Sequence, residues 1–292
     1  MLRPISGENA WMIPQIRKDD STDFFAAPIE GHLCHRISKS VSSCLMPQLS
    51  ASTLKLFQEC PRCFWLHITR KVERPRGPFP SLPSGIDRVL KGYFEQYRQQ
   101  GVLPPLIAGK LNGTLSTHPL TLGFNDLETH ARLWGKLDDC VIRPDGRLAP
   151  LDHKTRASAP DDLSYTQTYY QFQMDVYTLL LERNGHRTSR TAHVVYYFPL
   201  EGALHQGFPF GVAVHTVETD PDGAYRVFAE ATHCLTGPLP PSAPACAFCR
   251  WLSLRSSVDP GGSPLAAAPA TAVRAPRRAP RVAGPVPDDL FA

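Results

Sequence analysis

The chain has 292 residues, of which 42% are hydrophobic and 20% are charged, a composition typical of a soluble protein with a sizeable core. Its longest apolar runs fall short of the ~18 residues that cross a membrane, and the first twenty residues lack the apolar stretch of a secretory signal. We therefore expect a cytoplasmic protein with no membrane partner. A formal net charge of +4 excludes a globally cationic coat for nucleic acid, so any such surface must be local.

Three regions of the chain differ in composition. Residues 1–45 lack sustained helix or strand periodicity, so we expect a poorly structured N-terminal extension, with Met46 a candidate translation start. Residues 46–257 carry the clear periodic patterns and no internal repeat, which predicts one domain. Residues 258–292 are rich in Pro, Ala and Arg, with a single aromatic residue. Such a segment buries too little apolar surface to offset its chain entropy, so we expect a disordered tail.

The predicted elements follow in chain order. Ser52 caps a short helix that ends near Glu59, because Pro61 disfavours helix in the residue before it. Later patterns predict a helix over 84–100, a β-hairpin of 133–142 and 148–155 around the turn residues 143–146, a helix over 164–184, strands over 191–198 and 210–219, and a helix from Pro221 to about Leu235. This order predicts an α/β fold with a central sheet flanked by helices.

The hairpin carries the residues most suited to chemistry. Asp138 lies in its first strand and Asp152 in its second, so a tight turn brings both carboxylates to one end of the sheet. Lys154 is two residues from Asp152 and therefore emerges on the same face. Carboxylate oxygens suit Mg²⁺, and a nearby lysine can assist an attacking water, which points to phosphodiester hydrolysis. The plainer alternative is a solvated hairpin with weak ion pairs.

The next helix places Gln173 and Tyr177 four residues apart, hence on one face. Taken alone, these two residues are better explained as a polar flank beside the core positions Phe172, Val176 and Leu180. His153 lies between the two hairpin positions, so strand alternation turns it to the opposite face, where we expect a packed or hydrogen-bonded histidine.

Together the motifs resemble the RecB-like branch of the PD-(D/E)XK nuclease superfamily. The matching residues are Gly135 and Asp138, then Asp152, Lys154 and Thr155, then Gln173 and Tyr177. The resemblance extends over about residues 49 to 251 and implies a restriction-endonuclease-like core with a central mixed β-sheet. It implies that Asp138 and Asp152 bind Mg²⁺ or Mn²⁺, that Lys154 serves the attacking water, and that Gln173 and Tyr177 position the scissile strand.

One position departs from the family pattern. RecB-like members usually carry a histidine on the first core helix, and residues 84–100 contain none. Asp87 is the nearest replacement and would supply a further metal ligand. Alternatively, Ser84 and Asp87 form a capping box at the start of that helix, which is the interpretation we favour.

Two Cys-x-x-Cys pairs lie near the two ends of the predicted domain. Cys60 with Cys63 and Cys246 with Cys249 have the spacing of a four-thiolate metal site, and the prolines before each pair predict tight loops. Such a site joins the termini of the domain. Zinc is the usual ion for this spacing, whereas the resemblance implies a [4Fe-4S] cluster, and we favour the cluster with Zn²⁺ as the alternative. Cys140 and Cys234 fall on apolar positions of the core.

The sequence thus predicts a Mg²⁺-dependent deoxyribonuclease, an exonuclease of DNA repair or recombination. The alternative is a noncatalytic DNA-binding or scaffold subunit with the same fold and a structural four-cysteine site. The chain contains no Gly-x-x-x-x-Gly-Lys-Ser/Thr motif, so unwinding would need a separate helicase. The final residues 287–292 resemble short peptides that dock on replication proteins, although a solvated terminus is the simpler interpretation.

Overall fold

The structure is a computed structural model that describes residues 46–75, 77, 81–118 and 120–258. The extension predicted for residues 1–45 lies outside the described residues, and so does the predicted tail apart from Val258. No helix in these described ranges is long and apolar enough to span a bilayer.

Along the described residues, a short strand and three α-helices are followed by five strands, two α-helices, two strands and two α-helices. The helices are α1 (Ala51–Glu59), α2 (Pro61–Arg70), α3 (Ser81–Gln100), α4 (Leu163–Tyr169), α5 (Gln171–Arg183), α6 (Pro221–Thr236) and α7 (Ala247–Val258). The strands are β1 (Gln48–Leu49), β2 (Thr114–Leu115), β3 (Thr121–Asp126), β4 (Ala131–Lys136), β5 (Asp139–Ile142), β6 (Leu148–Thr155), β7 (Thr191–Pro199) and β8 (Phe210–Glu218).

The strands pair into a larger and a smaller sheet. The larger has the order β2-β5-β6-β7-β8, in which β6 and β7 are parallel and the other neighbours are antiparallel. The smaller has the order β1-β4-β3. The predicted mixed α/β fold with sheets flanked by helices is confirmed.

Both faces of the larger sheet are buried, because β7 alternates its apolar side chains between two cores. Val194 and Tyr196 pack into the core that also contains residues of α1, α5 and α6. Val195 and Tyr197 pack on the opposite face, with Phe94 of α3. Helices therefore cover the sheet on both sides.

The first strand of the predicted hairpin is interrupted. Residues 133–142 form the end of β4 and all of β5, which belong to different sheets, with Leu137 and Asp138 between them. The backbone N–H of Leu137 donates to the carbonyl of Leu120, and the Leu137 side chain is buried. The chain thus changes sheets at this point. The turn itself is as predicted, since β5 and β6 pair antiparallel from Asp139 opposite Leu151 to Ile142 opposite Leu148.

The predicted helix over 164–184 is divided at Tyr170. This residue has φ −125° and ψ −13°, outside helical geometry, and it ends α4 and precedes α5. Its ring lies 6.1 Å from the rings of both Tyr165 and Tyr196. Packing of Tyr170 among these aromatic rings accompanies the change in helix direction, which apolar periodicity does not encode.

Candidate functional site

β6 presents Asp152 and Lys154 on the same face of the larger sheet, as strand alternation predicts. Asp152 is only 1% exposed, and the Lys154 ammonium forms an ion pair with its Oδ2. Among the described residues, this ion pair is the polar contact that the structure gives to Oδ2. The Lys154 Nζ also lies 4.9 Å from the centre of the Tyr170 ring, a cation–π contact. The buried carboxylate therefore retains a lone-pair site for a cation.

The other oxygen of Asp152 is held by α5. Gln173 Nε2 donates to Asp152 Oδ1 at 2.9 Å and also lies 2.9 Å from the Tyr177 hydroxyl oxygen. The Tyr177 hydroxyl in turn donates to the Lys136 carbonyl at 3.2 Å. One turn of α5 thus ties the carboxylate to the end of β4.

Gly135 permits the close approach of α5 to β4. A Cβ atom at this position would lie 2.8 Å from Cδ1 of Leu180 and 3.3 Å from Cε1 of Tyr177. A side chain would therefore force the side chains of Leu180 and Tyr177 to shift. The glycine of the Gly-x-x-Asp motif has a packing role that acts on the position of the tyrosine.

Asp138 follows the change of sheets and lies just beyond the first rung of the β5–β6 ladder. Its Oδ2 accepts a hydrogen bond of 3.3 Å from the backbone N–H of His153, which places its carboxylate beside β6. Lys91 of α3 lies 3.7 Å from Asp138 Oδ1 and 2.8 Å from Asp87 Oδ2. The three predicted carboxylates, Asp87, Asp138 and Asp152, are thus brought towards one region, with a lysine between two of them.

Asp87 does not belong to a capping box. α3 begins at Ser81, so Ser84 lies inside the helix and the capping interpretation is wrong. Residues 81–86 include no charged side chain and have only a weak apolar pattern. The sequence therefore gives little indication of where this helix starts. Asp87 instead pairs with Lys91 one turn later, a helical i,i+4 contact that raises the pKa of Lys91.

Burial dominates the electrostatics of Asp152. Loss of solvation raises the pKa of its carboxyl to about 6, against the stabilising charge of Lys154 and with the help of repulsion from Asp138. The two carboxylates therefore repel each other with too little positive charge between them. A divalent cation would relieve this repulsion, and the hard oxygen donors suit Mg²⁺ or Mn²⁺.

His153 points away from these carboxylates, as predicted. Its Nε2 lies 3.0 Å from Asp139 Oδ2 and its Nδ1 lies 3.0 Å from the Tyr197 hydroxyl. Asp139 is buried and also accepts from Arg98 Nε at 3.0 Å. Neither Asp139 nor Arg98 is predicted from the sequence, where the first is simply an acid next to Asp138 and the second an arginine late in α3. These contacts stabilise the face of the β5–β6 hairpin that lies opposite to Asp152.

A family model described as the PD-(D/E)XK nuclease superfamily matches residues 94–254, more than half of the chain. The chain belongs to this superfamily. Among solved structures, it is similar to one described as "Crystal structure of SSO0001", with a TM-score of 0.37 and 16% sequence identity, covering 69% of this chain and 80% of that chain. No curated protein matches the chain.

The superfamily match includes β4 to β6 and α5, which hold Asp138, Asp152, Lys154, Gln173 and Tyr177. Nucleases of this superfamily use divalent metal ions, and the donor set described above fits that use. Asp87 and the first cysteine pair lie before the matched range. Their placement therefore rests on the structure alone.

The four predicted cysteines meet in space. The Sγ atoms of Cys60, Cys63, Cys246 and Cys249 all lie within 4.8 Å of one another. Three of the separations are 3.6 Å between Cys63 and Cys249, 3.7 Å between Cys63 and Cys246, and 3.9 Å between Cys60 and Cys249. This arrangement could hold a metal, and it joins the beginning and the end of the domain.

Each cysteine pair lies at the start of a helix, not in the tight loop that the prolines predict. Cys60 immediately precedes α2 and Cys63 lies in its first turn, while Cys246 and Cys249 have the same relation to α7. Pro61 occupies the first position of α2, where its missing N–H is not needed. The positive ends of two helix dipoles thus face the thiol groups, which favours thiolate ligands.

Arg74 lies beside this cluster. Its Nη2 is 3.6 Å from Cys246 Sγ, and its Nη1 is 2.6 Å from Glu59 Oε2. Burial opposes ionisation of Cys246, but hydrogen bonds from the Cys249 backbone N–H and from neighbouring thiols outweigh it and lower the pKa of Cys246 to about 7. At least one thiol is therefore ready to ionise near neutral pH. The guanidinium adds positive charge where four thiolates around a metal would be net negative.

Proposed function

We propose that this protein is a metal-dependent deoxyribonuclease of the RecB-like branch that hydrolyses phosphodiester bonds during DNA repair or recombination. The observation that carries the proposal is the buried carboxylate of Asp152, which Gln173 holds by one oxygen, which pairs with Lys154 through the other, and which lies close enough to Asp138 to be repelled by it. A buried carboxylate with a second carboxylate beside it is unfavourable without further positive charge, which a divalent cation would supply.

Asp138 and Asp152 would hold Mg²⁺, and Asp87 would contribute a further ligand from α3. When bound, the ion would polarise a phosphoryl oxygen and lower the pKa of a water ligand. Lys91 lies between Asp87 and Asp138 and would have to move aside for Asp87 to reach the ion. Its half-exposed side chain leaves room for that movement.

Lys154 would act on water and phosphate, while Gln173 and Tyr177 of α5 would hold Asp152 in position. The Lys154 ammonium stands at the exposed side of the buried Asp152, where it can orient an attacking water and stabilise negative charge on the phosphate. Gln173 fixes the orientation of the Asp152 carboxylate through Oδ1, and Tyr177 fixes Gln173. This arrangement leaves Oδ2 as the oxygen directed to a cation.

Cleavage assays with end-labelled DNA test the proposal. We expect wild-type protein to degrade linear single- or double-stranded DNA with Mg²⁺ or Mn²⁺ and to release short products from an end, while a circular substrate stays intact. The noncatalytic alternative predicts DNA binding without cleavage under every metal condition. Cleavage of the circle with equal efficiency would instead show an endonuclease. A separate helicase remains the proposed source of unwinding.

The four-cysteine site favours a single zinc ion over the [4Fe-4S] cluster that the resemblance implies. Four sulfurs at 2.3 Å from one tetrahedral zinc ion would be about 3.8 Å apart, and here three pairs of Sγ atoms are 3.6–3.9 Å apart while all four lie within 4.8 Å of one another. In a four-iron cluster each thiolate binds a different iron, so the sulfurs must stand farther apart. Metal analysis and the visible spectrum of anaerobically purified protein separate the two. One zinc per colourless chain supports the zinc site, and four irons with a brown colour overturn it.

A further inference from the structure

A cavity of about 330 Å³ lies on the face of the larger sheet that is opposite to Asp152. His193 of β7 pairs in register with Leu151, the residue before Asp152, so the two side chains, His193 and Asp152, project to opposite faces. The polar residues around the cavity are Lys110, Asn112, Arg143, Asp145, His193 and Thr216. The nuclease site does not use any of these residues.

Two cations, Arg143 and Lys110, and one acid, Asp145, line this cavity. Within the described ranges, neither Arg143 nor Lys110 forms an ion pair, and Arg143 Nε is buried without a hydrogen-bond acceptor. Arg143 Nη1 makes only a long contact of 3.4 Å to the Thr191 hydroxyl. Asp145 is the acid at the rim, but it already accepts from the backbone N–H of Arg147 at 3.0 Å and lies 3.8 Å from its side chain. A buried arginine donor without an acceptor is uncommon and needs a partner.

His193 also lines the cavity, and its pKa reflects both its burial and the positive charge nearby. Its Nδ1 lies 2.9 Å from the Thr216 hydroxyl oxygen, and the residue is 5% exposed. Burial, followed by the positive charge of Arg143, lowers the pKa of His193 to about 4. The imidazole is therefore neutral at pH 7 and can bond to an oxyanion without adding a buried charge.

We propose that this cavity binds the phosphate group of a small phosphorylated molecule or of a nucleic-acid strand. The planar guanidinium of Arg143 offers several donors to phosphate oxygens, and Lys110 adds a second cation. The cavity is larger than a bare phosphate needs and falls at the lower end of the range for small-molecule sites. Leu111 and Pro144 in its wall would contact the organic part.

Calorimetric titration of the full chain in magnesium-free buffer tests this site. The probes are inorganic phosphate, thymidine monophosphate and a short oligonucleotide without terminal phosphates. We expect binding of at least one probe, and Arg143→Gln should weaken it at least about tenfold, because charge-assisted hydrogen bonds are lost. Arg143→Lys should retain part of the affinity. Arg147→Gln is the matched control, because this neighbouring arginine is exposed and does not line the cavity.

The probe that binds identifies the source of the phosphate: the monophosphate indicates a small ligand, and the oligonucleotide alone indicates a strand. A ligand beside His193 should also raise the pKa of that imidazole in the NMR spectrum, because negative charge would offset Arg143. The proposal is overturned if no probe binds at 10 mM, if Arg147→Gln weakens binding as much as Arg143→Gln, or if binding leaves His193 unchanged. Melting curves of each variant verify that it is folded. DNA cleavage is a separate readout, so the two sites can fail independently.

Discussion

Gln173 donates a hydrogen bond of 2.9 Å to Oδ1 of Asp152, while Oδ2 of the same carboxylate has no hydrogen bond among the described residues. The amide therefore fixes the carboxylate plane and leaves one oxygen for a cation. Substitution of Gln173 should therefore affect the orientation of the carboxylate, whereas substitution of Asp152 should remove its charge.

Asp152→Asn should lower DNA cleavage by at least about 10²–10³, because it removes a charged ligand while keeping the side-chain shape. Gln173→Ala should cause a smaller loss, since the carboxylate remains but can rotate. Single-turnover cleavage at saturating Mg²⁺ measures both. Asp161→Asn is the control, because Asp161 is an exposed aspartate nine residues further along. Equal activity of Asp152→Asn and wild type would remove Asp152 from the metal site.

The stability of the metal-free protein should depend on pH through Asp152. Its pKa is raised from the usual value near 3.8 to about 6 in the folded state, so the folded state holds the proton more tightly than the unfolded state. Stability from this group is therefore present below about pH 4 and is lost as the pH rises to about 6. The shift corresponds to at most about 3 kcal/mol.

Denaturant unfolding in magnesium-free buffer at pH 4.5 and pH 7 measures this effect. Because other groups also titrate, the relevant quantity is the difference between wild type and Asp152→Asn at each pH. We expect the variant to be more stable than wild type by about 3 kcal/mol at pH 7 and by only about 1 kcal/mol at pH 4.5. Added Mg²⁺ should stabilise wild type at pH 7 but not the variant. A difference that does not change with pH would contradict the assignment.

Arg98 contacts two acids, and only one of these pairs should matter for stability. Asp139 is buried and shared with His153, whereas Glu95 is exposed on the same helix as Arg98. Asp139→Asn should destabilise the protein by about 2–4 kcal/mol, because it leaves a partly buried guanidinium with a weaker partner. Glu95→Gln should cost less than about 1 kcal/mol. Urea unfolding of the two variants compares them, and similar losses would show that burial does not decide the outcome.

Local chemistry explains which parts of the site the sequence predicts. The turn at 143–146 fixes the β5–β6 register, and extending that register by one residue places Asp138 opposite Asp152. Strand and helix periods then place Lys154 beside Asp152, and Gln173 on one face with Tyr177. All of these relations depend on residues near one another in the sequence, or on a single turn.

Long-range packing decides the rest. The change of sheets at Leu137 depends on pairing of β4 with β3 and β1, whose residues are distant in the sequence. The contact of Lys91 with Asp138 depends on where α3 crosses the sheet. The sequence does not predict that a helix begins at each cysteine pair. At the first pair, Pro61 disfavours continuation of α1 and also occupies the first position of α2. Spacing alone still predicts that the four cysteines meet.

The four-cysteine site should contribute to the stability of the whole domain, since its ligands come from α2 near the start of the described chain and α7 at its end. Cys249→Ser removes one ligand, so we expect loss of bound metal and a marked fall in the melting temperature. Metal content by mass spectrometry and thermal unfolding measure the two effects. Cys234→Ser is the matched control, because Cys234 lies in α6 outside the cluster. Asp152→Asn should keep its full metal content at the cysteines. If Cys249→Ser loses its metal yet melts like wild type, the cluster does not hold the two ends together; if the wild-type protein never carries a metal, the thiols are only packed against one another.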